Sequence, residues 1–207
     1  MKRLFFALVV FLFPGASCLA GEDAFGIPSK NQTVAVQNEP KQYEVISANY
    51  PVPDVVLSDS NGKPLRLAEL LTQPKPVLLQ FIFTSCSTVC PLLSLTFLHT
   101  QQELERLKVD SQLISISIDP EYDTPNQLNA FAKRFHAGHN WLFLTGKKND
   151  IRRILTAFAA LYQSDNKMYH RPLLYLHTAP KTQWLRFEGY IDAPELVLKL
   201  KTALKPS

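Results

Sequence analysis

Residues 77–83 (VLLQFIF) restrict the fold more than any other part of this chain. Six of the seven side chains are apolar, prolines flank the run, and no helical period is visible. Such a run reads as a strand covered on both faces, the signature of a sheet enclosed by helices. Residues 112–118 (QLISISI) alternate and are β-branched, a second strand that Asp119-Pro120 ends. Thr124-Pro125 then opens a helix to about Phe135, with a Thr cap and Pro in the first turn. A short strand at 141–144, a helix at 151–162, a hairpin-like pair at 173–177 and 183–188, and a closing helix at 194–204 complete the pattern. Upstream, residues 55–57 and 64–67 flank Asp59-Ser60-Asn61-Gly62, a hairpin signal. Strands alternating with helices, then two strands paired directly, predict an α/β domain over 53–207: a mixed central sheet with helices on both faces. Residues 21–52 carry Gln, Asn, Pro and Lys without a sustained period and read as a tether, with a short extended piece at 34–36.

A chain of 207 residues, 46% hydrophobic and 19% charged, has enough core to fold without staples. Its three cysteines exclude a disulfide-rich scaffold. The net charge of +4 is scattered, and no run of five or six like charges offers a nucleic-acid or polybasic membrane patch. Part of that charge belongs to residues 1–20, which have the layout of a signal peptide. Lys2 and Arg3 precede ten unbroken apolar residues, and Pro14, Gly15 and small residues follow to Ala20. The apolar run falls short of the roughly 20 residues of a membrane span. Cleavage after Ala20 would discard Cys18; lipidation of Cys18 or an uncleaved anchor would instead leave a membrane tether at the N-terminus. Each fate exports the chain, to the periplasm or the periplasmic face of the inner membrane. That compartment is oxidising, so Cys86 and Cys90 are a pair that can close.

The strongest chemistry lies in Cys86-x-x-x-Cys90-Pro91, where the buried strand hands over to a helix. Four-residue spacing on a helix would put both sulfurs on one face. The helix N-terminus would lower both thiol pKa values, so both are expected to be reactive near neutral pH. Two such thiols can form a disulfide, exchange with another disulfide, or hold a soft metal. A structural staple is disfavoured, because so short a loop gains little chain entropy. Exchange enzymes typically use C-x-x-C, and the extra residue widens the bite toward a metal. Two sulfurs leave a coordination sphere incomplete, so a third ligand is sought among five histidines. His99 reads as a helix-surface residue, His136 and His139 as loop residues, and His177 as a strand end. His170 differs, sitting between a polar loop and the last strand pair.

Phe83-Thr84-x-Cys86-x-x-x-Cys90-Pro91, the stretch from Ser115-Ile116-Ser117-Ile118-Asp119-Pro120 to Asp123-Thr124-Pro125, Phe143-Leu144-Thr145-Gly146, and a histidine before Tyr175-Leu176 together resemble the Sco/SenC family. The likeness spans nearly the whole exported domain. It implies a thioredoxin-like fold and a part in assembling the dinuclear copper centre of cytochrome c oxidase. It also implies copper, Cu(I) or Cu(II), held by Cys86, Cys90 and His170. The implied partner is the copper-binding subunit of the oxidase or another copper chaperone. Two departures stand out: Ser87, Thr88 and Val89 lie where many members carry Pro and Asp, and Tyr169 lies where many carry Asp. A thiol–disulfide oxidoreductase that keeps the oxidase cysteines reduced would use Cys86 and Cys90 as its redox-active pair. A thiol peroxidase fits less well, since Ser and Thr surround the cysteines where an Arg or Gln is usual. The acidic cluster Asp119, Glu121 and Asp123 reads as a structural turn at a helix start, with Asp119 the member expected to reach toward the cysteines.

Overall fold

The computed structural model describes residues 42–162, 166–179 and 183–205. The signal segment, Cys18 and the extended piece at 34–36 lie outside the described residues. The apolar run forms strand β4 (Val77–Ile82), buried at every position. Helix α2 (Val89–Arg106) carries the chain to β5 (Gln112–Ser117), parallel to β4 and equally buried. Helix α3 (Pro125–Arg134) leads on to β6 (Trp141–Thr145), parallel to β5. After α4 (Lys148–Ala157) the direction reverses, and β7 (Leu173–His177) pairs antiparallel on the opposite side of β4.

Antiparallel strands extend both edges. On one side stand β8 (Trp184–Gly189) and β1 (Tyr43–Ala48); on the other stand β2 (Val56–Asp59) and β3 (Pro64–Arg66). The sheet has eight strands in the order β1-β8-β7-β4-β5-β6-β2-β3. Helices α1 (Leu67–Leu71) and α5 (Ala193–Leu204) complete the fold.

Crossovers between parallel strands are right-handed, so two successive steps in one direction put α2 and α3 on one face, and the reversal puts α4 on the other. The ring contacts follow that rule. Phe97 of α2 and Phe131 of α3 pack on Trp141 and Phe143, whereas Phe158 at the end of α4 packs on Phe81 and Tyr175. Between β4 and β7 the connections diverge, and such a switch point opens a crevice at the carboxyl end of the strands. Both the cysteine loop and the segment entering β7 arrive there.

Two boundaries differ from expectation. The sheet begins at Tyr43, inside the stretch expected to be a tether. β1 is an edge strand only half buried, and its partner β8 lies far along the chain, so local pattern announces it weakly. Gly189 makes the pairing possible: it sits at φ +116, and a Cβ there would meet the Gln42 carbonyl at 2.2 Å. Helix α4 runs over 148–157 rather than 151–162, because Ala159 turns the backbone to φ +51. The expected hairpin is present, with Gly62 at φ +81 and Asp59 Oδ1 accepting the N–H groups of Asn61 and Lys63 at 2.8 Å each.

Candidate metal centre

Phe83, the last residue of the apolar run, accepts the Cys86 N–H at 3.1 Å and so turns the chain off the end of β4. Helix α2 starts only at Val89, because Thr88 sits at φ −121, ψ −83, outside helical conformation. Cys86 is therefore not on the helix, and the expected i, i+4 face is not what unites the sulfurs. Instead the Cys86 Sγ accepts the Cys90 N–H at 3.4 Å, capping a helix whose Thr88 makes no side-chain cap of its own.

That arrangement splits the two thiols, where equal reactivity was expected. Burial pushes the Cys86 thiol up, but hydrogen bonds from the backbone and side chains of Cys90 and Thr88 outweigh it and leave the thiol below its ordinary value. Burial drives Cys90 well above the ordinary thiol range; a hydrogen bond from the Phe83 backbone opposes it, while the Cys86 sulfur and the Asp123 charge add to the rise. Both cysteines are free thiols here.

The third predicted residue comes from the segment entering β7. A 3-10 turn, Lys167–Tyr169, is capped by the Asn166 side chain on Met168 N at 3.0 Å, and His170 N–H closes it on the Lys167 carbonyl at 3.1 Å. His170 Nε2 lies 3.5 Å from Cys90 Sγ, and its ring meets the edge of Phe83 at 6.1 Å. Burial alone lowers its pKa from 6.5 to about 4, so the imidazole is neutral near pH 7 with a nitrogen lone pair free to bind. The other histidines stand elsewhere: His99, His136 and His139 are exposed. His177 is opposite Val77, at the far end of β7, and stacks on Trp184 at 4.8 Å.

The acidic cluster is structural, with its roles exchanged. Asp123, not Asp119, reaches the cysteine loop. It is fully buried and accepts Thr84 N–H at 3.1 Å, Thr84 Oγ1 at 2.6 Å and Ser117 Oγ at 2.6 Å. The reason is the turn itself: Asp123 N–H bonds back to the Asp119 carbonyl at 2.9 Å, which folds Asp123 inward beneath the strand ends. Asp119 faces the histidine side and pairs with Lys167; Glu121 pairs with Lys148 at 3.0 Å on the surface. Sequence reasoning gave the reach toward the cysteine loop to Asp119 rather than Asp123, and assigned Lys167 no role. For Asp123 a signal existed: two hydroxyl residues, Thr84 and Ser117, at adjacent strand ends need a common acceptor.

Among the described residues, no three His, Cys, Asp or Glu side chains already stand as a finished metal cage. Cys90 and His170 are in contact, and Cys86 spends its sulfur on the helix end. Two buried thiols, one with its pKa lowered and one with it raised, and one neutral imidazole form a soft donor set, suited to copper or zinc and ill suited to magnesium or calcium.

The SCO1/SenC family model matches residues 47–205. This chain belongs to the SCO1/SenC family. A SCO1 protein homolog of Bacillus subtilis is 33% identical over 164 residues, which cover 75% of this chain and 83% of the homolog. Among solved structures, BsSco, described as a Sco-family cytochrome c oxidase assembly protein with a disulfide switch, aligns with a TM-score of 0.63 at 30% identity. That alignment covers 76% of this chain and 96% of BsSco. Arabidopsis thaliana ScoI with copper bound aligns with a TM-score of 0.60 at 26% identity, covering 72% of this chain and 94% of that one. The mixed sheet flanked by helices is the thioredoxin-like fold of these Sco proteins, a family associated with copper binding and cytochrome c oxidase assembly.

Proposed function

We propose that this chain is an exported copper metallochaperone that binds one copper ion through Cys86, Cys90 and His170. It delivers that ion to the dinuclear copper centre of cytochrome c oxidase, through the copper-binding subunit or another copper chaperone. The observation that carries the reading is the 3.5 Å approach of His170 Nε2 to Cys90 Sγ, two residues 80 positions apart meeting at a sheet switch point. Cu(I) favours the thiolates and Cu(II) accepts the imidazole, so the set serves either state. Cys86 gives up its proton more easily than an ordinary thiol, since hydrogen bonds from Cys90 and Thr88 lower its pKa. Cys90 must give up a proton that burial holds tightly, so uptake at this sulfur is coupled to proton release. Three protein donors leave a position where an incoming thiolate begins ligand exchange. Residues 1–20 act as the export signal, and Cys18 is either removed with it or carries a lipid tether. No helix among the described residues is long and apolar enough to cross a membrane.

The test uses reduced full-length chain loaded with copper. Thiolate-to-copper charge-transfer absorption is expected, with one copper per chain. His170→Ala is expected to weaken binding at least about tenfold and to alter the spectrum. An unchanged spectrum and affinity in that variant would refute the three-donor reading.

A second reading rests on the divided thiols. Cys86, with its lowered pKa, suits attack on a disulfide, and buried Cys90 suits resolution of the mixed disulfide. This describes a thiol–disulfide oxidoreductase that keeps the oxidase cysteines reduced. Metal-free exchange that survives His170→Ala would favour it.

A further inference from the structure

Among the described residues, no carboxylate is seen bonded to His170: Tyr169 precedes it, and burial is the cause of its lowered pKa. Ligating histidines are usually oriented by groups around the ring, so the residues that hold this turn in place bear on the ligand. Two cations bracket it. On the C-terminal side, Arg171 donates to Glu188 Oε1 and to the Ala159 carbonyl, both at 2.6 Å. On the N-terminal side, Lys167 Nζ pairs with Asp119 Oδ2 and lies 5.4 Å over the Phe83 ring.

The Lys167 partners matter because of what they adjoin. Asp119 N–H is held by Ser117 Oγ at 3.0 Å, and Ser117 in turn bonds Asp123, which holds Thr84. Phe83 carries the carbonyl that turns the cysteine loop. One ammonium thus grips the ends of both β5 and β4, while the Lys167 carbonyl accepts the His170 N–H. The pair is also partly withdrawn from water, with side chains 36% and 13% exposed, against 72% and 71% for the neighbouring Lys148–Glu121 pair. Screening and hydration leave an exposed pair worth little, and a partly buried one keeps more of its attraction.

We propose that Lys167 is the positioning residue of this centre: held by Asp119 and the Phe83 ring, it pins the turn that keeps His170 on Cys90. The inference rests on the reading of His170 as a copper ligand. Lys167→Met keeps the length of the stem and removes the charge, whereas Lys167→Arg keeps the charge and its contact with an aromatic face.

The test measures two quantities in the full-length chain. The first is the rate at which a chelator strips copper from the loaded protein; the second, free of metal, is the rate at which iodoacetamide modifies Cys90 relative to Cys86 in the reduced protein. Lys167→Met is expected to raise both about tenfold while shifting the melting temperature by no more than about 4 °C. Lys167→Arg should return both to within about threefold of the parent, and Asp119→Asn should match Lys167→Met with no added effect in the double variant. Unchanged rates in Lys167→Met, or an Arg variant that behaves like Met, would overturn the proposal. His170→Ala separates the two readings. If it fails to speed copper loss, the ligand assignment falls, while the Cys90 modification rate still decides whether Lys167 pins the turn.

Discussion

Asp123→Ala probes the brace beneath the cysteine loop, and its cost can be worked from the contacts. Asp123 is fully buried and takes three donors: Thr84 N–H, Thr84 Oγ1 and Ser117 Oγ. Hydrogen bonds to a charged acceptor contribute about 1.5–3 kcal/mol each, so simple addition gives about 4.5–9 kcal/mol. The two hydroxyls can rotate to other acceptors, but the Thr84 N–H is fixed by the backbone and stays unpaired. The net loss is therefore about 3–5 kcal/mol, large against the 5–15 kcal/mol of a typical domain yet short of unfolding it. Asp123→Asn preserves shape and one acceptor but presents an N–H₂ to the other donors, and should cost about 2–3 kcal/mol. The assay is urea unfolding of the reduced, metal-free protein, where Asp123→Ala should lower the midpoint by about 2 M with an unchanged slope. The Asp123 charge also helps hold the Cys90 thiol up, so Asp123→Asn should make that thiol titrate lower. Asp119→Ala, by contrast, loses a partly solvated ion pair and should cost about 1 kcal/mol or less. An Asp123→Ala protein destabilised by less than about 1 kcal/mol would refute the brace, since it would mean the three donors find partners without it.

Three further outcomes follow from the same geometry. The metal-free protein should lose stability as pH falls from 6.5 to about 4, because in that window the unfolded chain protonates His170 and the folded one does not. At 1.36 kcal/mol per pH unit the His170 share is about 3 kcal/mol, complete above pH 6.5, and urea curves at pH 7 and 4.5 should show it missing in His170→Gln. In the reduced protein at pH 7, iodoacetamide should modify Cys86 at least about tenfold faster than Cys90, as peptide mass spectrometry would show, and the reverse order would contradict the thiol assignment. Gly189→Ala should cost about 2–3 kcal/mol and raise amide exchange along β1 first, because the new methyl group collides with the Gln42 carbonyl at a positive φ; exchange unchanged at Tyr43–Ala48 would contradict that local effect.

What was legible in this sequence is what short-range pattern encodes. The apolar run at 77–83, the alternation at 112–118 and the Thr124-Pro125 helix start each depend on a few adjacent residues, and each stands where expected. The misreadings arise where a distant contact or a single backbone turn, such as that at Ala159, overrides the local pattern. β1 is a strand because β8 offers it an edge. Thr88 leaves helical conformation, which frees the Cys86 sulfur to cap α2 in place of an ordinary side chain. Spacing alone treats Asp119 and Asp123 alike; Ser117 and Thr84 draw the second one inward.

The histidines show the same division most sharply. His170 stands just before one strand and His177 at its end, seven residues on, and local sequence places them but does not say which meets the cysteines. Antiparallel pairing with β4 does: His177 falls opposite Val77, where β4 begins, so the residues before Leu173 must lie where β4 ends and the cysteine loop starts. A single register thus sends one imidazole against Trp184 and the other against Cys90. The centre is consequently as sensitive to the strand pairing as to its own side chains. A change that slipped β7 by two residues would preserve the pleat and the apolar core, yet carry His170 about 7 Å along the strand and out of reach of the sulfur.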